Sequence, residues 1–136
     1  GVPIELNVRG ICCLRPGVPG VSENIRVNSV VGRFLEHSRI YGFVRGDERT
    51  ALIGSADLMR RNLDNRVELV TPVEDEALKD TLFDCLDRSF ADNSNAWELE
   101  TDGDWKRLAP ETPEARRNVQ DELMEIYRAQ DAAFGG

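Results

Sequence analysis

The sequence predicts a single α/β domain, with a mixed sheet built early in the chain and helices packed on it. Short segments rich in apolar and β-branched residues alternate with turns over residues 4–72. From residue 75 onward the apolar residues follow helical spacing instead. The 136 residues and 15.3 kDa suit one domain with a core of its own.

The first part of the chain, residues 1–72, is predicted to be rich in strands. Apolar residues predict a buried strand over residues 4–14, and Pro16 to Gly20 indicate a loop. Residues 39–44 and 50–53 predict a hairpin around a polar loop. The remaining predicted elements are a strand at 25–31, a short helical turn at 32–37, a short helix at 57–62 and a strand at 66–72.

The second part, residues 73–136, is predicted to be mainly helical, acidic and packed on the sheet. Residues 75–90 carry an apolar stripe at helical spacing, made of Ala77, Leu78, Leu82, Cys85, Leu86 and Phe90. Short strands are expected at 97–99 and 105–108, around a turn at 101–103. A second helix is predicted over 113–129, capped by Thr112, with Pro113 and Glu114 in its first turn. Its apolar stripe is Val119, Leu123, Ile126 and Tyr127, and residues 132–136 are expected to fray.

Charge is spread unevenly along the chain, whose net charge is −8. Residues 1–66 hold ten arginines, no lysine and seven acidic residues, whereas residues 67–136 hold seven basic and eighteen acidic residues. Arginine's planar fork suits bidentate recognition of phosphate or carboxylate. Any one of these arginines is expected to pair with a nearby acid, but the group favours an anion site. The acidic second half argues against nucleic acid bound over the whole surface.

Several classes of protein are disfavoured by composition. Three cysteines, Cys12, Cys13 and Cys85, form neither a disulfide framework nor a metal-ligand spacing with the single histidine, and they indicate a reducing compartment. No segment approaches the roughly 20 apolar residues of a membrane span. The chain opens on Gly1 and enters a predicted strand almost at once, so we expect it to be a domain of a longer protein.

The first candidate site surrounds His37. On an extended segment its side chain shares a face with Arg39 and Tyr41. Histidine exchanges protons near neutral pH or carries a phosphoryl group, and Arg39 could neutralise a phosphate there. A corner of small residues, Gly54 to Asp57 and including Ser55, allows close approach of a ligand and exposes N–H groups to an anion. From spacing alone, the more common role for a single histidine is a structural one, either exposed to solvent or hydrogen-bonded within the fold.

Two further places carry candidate polar residues. Arg9 lies inside the first predicted strand, where a charged residue either finds a carboxylate or faces a site; residue chemistry alone leaves both open. Gly10 beside it permits close backbone approach. The segment from Asn62 to Arg66 is predicted to be a capping turn with an internal pair between Asp64 and Arg66, and a structural role is favoured over a catalytic one.

Five segments together resemble the long-form bacterial polyphosphate kinases. The segment VRGICCLRPG at residues 8–17 is similar to the arginine-glycine strand of that family. The next stretch of the family resembles residues 23–27 (ENIRV) and 32–41 (GRFLEHSRIY). The stretches after it resemble residues 54–68 (GSADLMRRNLDNRVE) and 72–73. The resemblance is specific over residues 8–72 and mainly architectural beyond them. It covers nearly the whole chain and implies the C-terminal catalytic domain of such an enzyme.

The resemblance implies a phospholipase D-like fold and a set of residue roles. In the family a histidine of a preceding domain takes the γ-phosphoryl group of ATP and passes it to polyphosphate, so the nucleophile is expected to lie outside this chain. His37 is implied as a second active-site histidine, acting as general acid/base or stabiliser, and Arg9 with Arg39 as phosphate-binding residues. The residues expected to support them are Tyr41, Ser55, Asp57, Asn62 and Arg66.

The resemblance also implies ligands and partners. ATP and ADP are expected as substrates with polyphosphate, Mg²⁺ is expected in the full-length enzyme, and no metal ligand is assigned in this chain. The other domains of the parent chain and a homo-oligomer are expected as partners, in the cytoplasm or peripherally at the membrane.

Two alternative functions remain open from the sequence. One is a non-catalytic module that binds nucleotide or polyphosphate or mediates assembly. The other is a phospholipase D-like phosphodiesterase. Arg39 and Asp57 stand where that motif has lysine and asparagine, which disfavours phospholipid hydrolysis.

Overall fold

The computed structural model describes residues 1–134 and confirms the α/β class. Its helices are α1 (Arg60–Asn65), α2 (Glu76–Ala91) and α3 (Val119–Phe134), with a 3₁₀ turn at Pro113–Ala115. Its strands are β1 (Ile4–Asn7), β2 (Ile25–Val30), β3 (Ile40–Arg45), β4 (Glu48–Gly54), β5 (Val70–Val73), β6 (Ala96–Leu99) and β7 (Trp105–Arg107). No helix in this described part is long and apolar enough to cross a membrane.

The strands form two sheets, where the sequence predicted one. A four-stranded sheet has the order β1-β2-β6-β7, and a three-stranded sheet has the order β3-β4-β5. Contacts divide the described chain into a terminal unit, residues 1–36 with the chain from residue 88 onward, and a central unit, residues 37–87. β6 and β7 complete the sheet that begins with β1 and β2, so strands also occur beyond residue 72.

The terminal unit is built around β2. This strand pairs in parallel with β1 and antiparallel with β6, and residues 27–30 are all buried. Val30, Ala96 and Val119 form a core cluster against which Leu108 and Leu123 pack. This packing uses the predicted apolar stripe of α3 for Val119 and Leu123, while Tyr127 is half exposed.

Asp92 connects three segments of the terminal unit. It follows α2 directly, and its side chain is 1% exposed. Its Oδ1 accepts hydrogen bonds from the backbone N–H groups of Ser94, Asn95 and Ala96, and its Oδ2 accepts one from Val119 at 2.9 Å. One carboxylate therefore satisfies the start of β6 and the first turn of α3.

The central unit contains the predicted hairpin. β3 and β4 pair antiparallel, with Ile40 opposite Ile53 at one end and Arg45 opposite Glu48 at the other. The loop is therefore shorter than predicted and consists of Gly46 and Asp47. Gly46 has φ of 60°, which glycine adopts without strain and which fits a two-residue hairpin loop. Residues Phe83 and Leu86 of α2, a helix predicted to within one residue at each end, approach Gly42 of β3 closely.

The first predicted strand is much shorter than expected and is not buried. β1 ends at Asn7, and only Leu6 among its four residues is partly buried. It is an edge strand that pairs with β2 alone. Just beyond its end, Val8 N–H donates a further hydrogen bond to the Asn28 carbonyl of β2. A strand with one neighbour keeps one side in solvent, so β-branched composition alone did not imply burial.

Residues 32–34 form bends and residues 35–37 have no regular structure, where a helical turn was predicted over 32–37. A Cβ atom at Gly32 would lie 2.5 Å from Gln120 Oε1, so this segment runs against the side chain of Gln120 on α3. Hydrogen bonds from that side chain take the place of local helical bonds. Two neighbouring elements also differ from their predicted ranges. Helix α1 starts at residue 60, three residues later than predicted, and β5 covers 70–73 where 66–72 was predicted.

The predicted helix over 113–129 is divided in two. Thr112 caps only the 3₁₀ turn, its Oγ1 accepting from Ala115 N–H at 3.3 Å. Asn118 then caps α3, its Oδ1 accepting from the N–H groups of Gln120 and Asp121. Residues 132–134 belong to α3 where fraying was expected, and residues 135–136 lie outside the described residues.

Candidate functional site

His37 and Arg39 contact each other in the central unit, although not through a shared strand face. Both precede β3, which begins at Ile40, so the expected alternation along a strand does not apply to them. Arg39 Nη1 lies 2.6 Å from His37 Nδ1 and 3.4 Å from Nε2, and it donates to the His37 carbonyl at 2.8 Å. The backbone of residues 37–39 therefore brings the guanidinium to the imidazole.

The contact between these two side chains fixes the orientation of the imidazole ring. A guanidinium has five N–H donors and no acceptor. In this contact the nearer ring nitrogen, Nδ1, can act only as the acceptor. His37 is solvent-exposed, so this ring can exchange protons with a ligand.

Asp57 holds the other side of the Arg39 guanidinium. Arg39 donates from Nε to Asp57 Oδ1 at 3.0 Å, and Nη2 lies 2.9 Å from the same oxygen. The Arg39 side chain is only 16% exposed. Asp57 lies between β4 and α1 and is not helical as predicted. The ion pair fixes Arg39 and offsets part of its charge.

Ser55 and Asn62 converge on Glu68, which the sequence analysis did not select. Ser55 Oγ–H donates to Glu68 Oε2 at 2.5 Å, and Asn62 Nδ2 donates to Oε1 at 2.9 Å. These bonds, the one from Ser55 first, lower the pKa of the Glu68 carboxyl from its ordinary 4.5, and Arg66 and Arg39 add to the effect. No local signal in the sequence pointed to Glu68, because its two donors, Ser55 and Asn62, lie on other segments.

Asn62 occupies an unusual position for a polar side chain. It lies in α1 and is 3% exposed. Its Nδ2 is bonded to Glu68, but its Oδ1 has no hydrogen-bond partner among residues 1–134. The predicted capping turn is therefore part of a helix, and Asp64 pairs with Arg60 four residues earlier and not with Arg66.

Tyr41 and the corner after β4 contribute further polar groups. Tyr41 Oη donates to the Ala56 carbonyl at 2.9 Å, which ties β3 to the corner. Burial raises the pKa of the Tyr41 hydroxyl, the positive charge of Arg39 opposes the rise, and Asp57 adds to it. The corner's first two N–H groups do not face an anion as expected, since Gly54 N–H donates to the Arg39 carbonyl and Ser55 N–H to the Leu69 carbonyl.

Arg9 lies in the terminal unit and is exposed, two residues beyond the end of β1. Its Nη1 donates to the Glu36 backbone carbonyl at 2.6 Å. No carboxylate lies within ion-pair distance of it in residues 1–134. The structure thus shows neither the strand position nor the structural ion pair, and the charge of Arg9 is left without an acidic partner.

Two expectations about the site concern its assembly and its metal. Arg9 belongs to the terminal unit and His37 to the central unit, so their convergence on one phosphate stays a prediction. Within the described range no group of three His, Cys, Asp or Glu side chains could hold a metal ion.

Comparison with known proteins gives one consistent family. The family model described as polyphosphate kinase C-terminal domain 2 matches residues 1–120. The chain is 57% identical to a polyphosphate kinase of Synechocystis sp. over 120 residues, covering 88% of this chain and 16% of that protein. It is 54% identical to one of Rhodopirellula baltica over 123 residues, covering 90% and 14%.

A solved structure agrees with these relatives. The crystal structure of polyphosphate kinase from Porphyromonas gingivalis matches with a TM-score of 0.89 and 36% identity. The match covers 97% of this chain and 20% of that one, and the chain spans about a seventh to a fifth of the length of its curated relatives. The match of the family model over residues 1–120 shows that the chain belongs to the polyphosphate kinase family, as C-terminal domain 2.

Proposed function

We propose that this chain is part of an enzyme that reversibly transfers the γ-phosphoryl group of ATP to polyphosphate. A histidine of a preceding domain accepts the phosphoryl group from ATP, ADP leaves, and the terminal oxygen of polyphosphate then takes the phosphoryl group from the histidine. The relatives are polyphosphate kinases, which supports the reaction class. The phosphohistidine intermediate is proposed from the family resemblance alone.

The observation that carries the proposal is the state of Arg9. An arginine that serves only the fold is usually paired with a carboxylate, whereas Arg9 is anchored through one N–H group to a backbone carbonyl. Its charge stays available for an anion. Phosphoryl transfer depends on fixed positive donors around the oxygens that gather charge, so an anchored but uncompensated guanidinium has the required property.

We assign the second role to His37. Its ring is exposed and lies against Arg39, so it is placed to act as general acid/base or as a stabiliser while the phosphoryl group moves. Arg39 orients the ring and adds a phosphate-binding charge, partly offset by Asp57. The supporting residues in this proposal hold the surroundings of the ring in place: Tyr41, Ser55, Asp57, Asn62, Arg66 and Glu68.

The same proposal covers ligands and location. ATP or ADP and polyphosphate are the substrates, and Mg²⁺ accompanies the nucleotide, held outside the residues of this chain. The remaining domains of the parent chain are its partners, the full-length protein is a homo-oligomer, and the enzyme acts in the cytoplasm or at the membrane surface.

The test uses the full-length parent enzyme with His37→Ala and Arg9→Ala made separately. Removing one preorganised donor typically lowers the rate about 10²–10³-fold, and we expect a loss of that order in polyphosphate synthesis from ATP for each variant. Arg45→Ala is the matched control, because Arg45 is an exposed hairpin arginine paired only with Glu48. Normal synthesis by both site variants would remove the proposal.

A further inference from the structure

We propose that Gln120 is a positioning residue for Arg9, acting through the segment of residues 34–36. The inference rests on the proposed function, since it assumes that Arg9 binds phosphate. It concerns only the terminal unit, to which Arg9, residues 34–36 and Gln120 all belong.

Gln120 is the second residue of α3 and is 5% exposed. Its Oε1 accepts a hydrogen bond from Phe34 N–H at 3.0 Å, and its Nε2 donates to the Phe34 carbonyl at 2.9 Å. The side-chain amide thus pairs with both polar groups of one residue, as a neighbouring strand would. Its second N–H donates to Glu36 Oε1 at 2.6 Å, so three of its hydrogen-bonding capacities are used.

The segment held by Gln120 ends at the group that anchors Arg9. Residues 34–36 belong to no helix or strand, so no ladder of backbone bonds fixes them. Gln120 bonds the backbone of Phe34 and the side chain of Glu36, and the carbonyl of Glu36 is the acceptor for Arg9 Nη1. A chain of hydrogen bonds therefore runs from the first turn of α3 to the uncompensated guanidinium.

The first turn of α3 does not need this side chain for its core packing. Val119 and Leu123 supply the apolar contacts, and Asn118 with Asp92 satisfies the first N–H groups of the helix. A buried side-chain amide lowers the stability of the fold unless it is hydrogen-bonded. Here the partners are polar groups of a segment that lacks regular structure, and Gly32 leaves the space in which Gln120 reaches them.

The experiment is a double-mutant cycle in the full-length enzyme. Methionine is close in size to glutamine and lacks the amide group. Gln120→Met is therefore made both in the unmodified enzyme, which keeps Arg9, and in the Arg9→Ala variant. We expect Gln120→Met to lower kcat/KM for ATP about 10-fold where Arg9 is present, because small misplacements of a positioned group reduce rate strongly. In Arg9→Ala the same change should alter kcat/KM less than about twofold. Gln130→Met, on the exposed part of the same helix, should leave activity unchanged.

Thermal unfolding separates positioning from general support of the fold. A merely structural role would shift Tm and activity by the same amounts in both backgrounds, and such additive losses would overturn the inference. If Gln120→Met does not fold, Gln120→Glu replaces it, since the isosteric carboxylate retains one acceptor but places a negative charge against Glu36. If Arg9→Ala by itself leaves kcat/KM unchanged, the proposed function fails at Arg9, which is a different result from additivity.

Discussion

Arg9 and Arg39, the two arginines of the candidate site, carry their charges in different ways. Arg39 is mostly buried and bonded to Asp57, so much of its charge is offset within the protein. Arg9 is exposed and bonded to a neutral carbonyl, so none of its charge is offset by an acid. A bound phosphate would therefore gain more from Arg9, while Arg39 mainly fixes the ring of His37.

Glu122 gives a pH-dependent contribution to stability that can be measured. Hydrogen bonds from Arg117 first, and also from Arg88, lower the pKa of the Glu122 carboxyl from 4.5 to about 2. Because the folded-state pKa lies below the unfolded value, the stabilisation is complete above pH 4.5 and is lost as the pH falls from there towards 2. We expect Glu122→Gln to reduce the free energy of unfolding by about 1–2 kcal/mol at pH 7, since water weakens partly exposed pairs.

Urea unfolding at a series of pH values measures this difference. The gap between the unmodified chain and Glu122→Gln should be constant from pH 7 to 5 and should close below pH 4.5. Glu125→Gln, an exposed position on the same helix, should follow the unmodified chain throughout. A gap that stays the same size down to pH 3 would mean that the ionised form of Glu122 is not what stabilises the fold.

At the scale of elements, the end of β4 depends on the absence of a side chain at Gly54. A Cβ atom there would lie 2.9 Å from the Leu69 carbonyl oxygen, a backbone atom that can move only with its segment. We expect Gly54→Ala to separate the corner from residue 69 and to lower the free energy of unfolding by about 1–3 kcal/mol. Gly10→Ala is the control, because no atom lies within 4 Å of a Cβ there. Equal thermal stability of the two variants would contradict this packing.

Local sequence signals predicted the elements that depend on local interactions. The hairpin follows from β-branched runs around Gly46, and α2 follows from its apolar stripe, so both were found nearly in full. Residues 32–37 were mispredicted because their hydrogen bonds come from Gln120, 86 residues away from Phe34. The second helix was extended too far for a similar reason, because Asp92 and Asn118 set the start of α3.

In the candidate site, too, local contacts could be predicted from the sequence and contacts between distant segments could not. His37 and Arg39 lie two residues apart, and their contact could be expected from spacing. Tyr41, Ser55, Asp57 and Asn62 come close to this region through the β3–β4 pairing, which the hairpin pattern indicated. Glu68 was missed because its importance arises from two donors on other elements, and a glutamate in an acidic sequence gives no local signal of that kind.

At the scale of the whole molecule, arginines without an acidic partner recur through the first half of the chain. Half of the ten arginines there form ion pairs, whereas any single arginine was expected to pair with an acid. The others have no carboxylate within ion-pair distance in residues 1–134: Arg9, Arg15, Arg33, Arg61 and Arg66. A protein with a net charge of −8 can thus still present local positive potential to a polyanion.

The location of the nucleophile provides the last prediction, because His37 is the only histidine in the chain. If the phosphoryl group is carried by a preceding domain, the isolated chain incubated with ATP labelled in the γ-phosphate should acquire no acid-labile, alkali-stable label. The full-length enzyme should acquire it under the same conditions, as should its Arg45→Ala variant, which tests for nonspecific effects of losing an arginine. A phosphohistidine on the isolated chain could only be His37, and would make His37 itself the nucleophile, since its exposed ring is chemically able to carry the group.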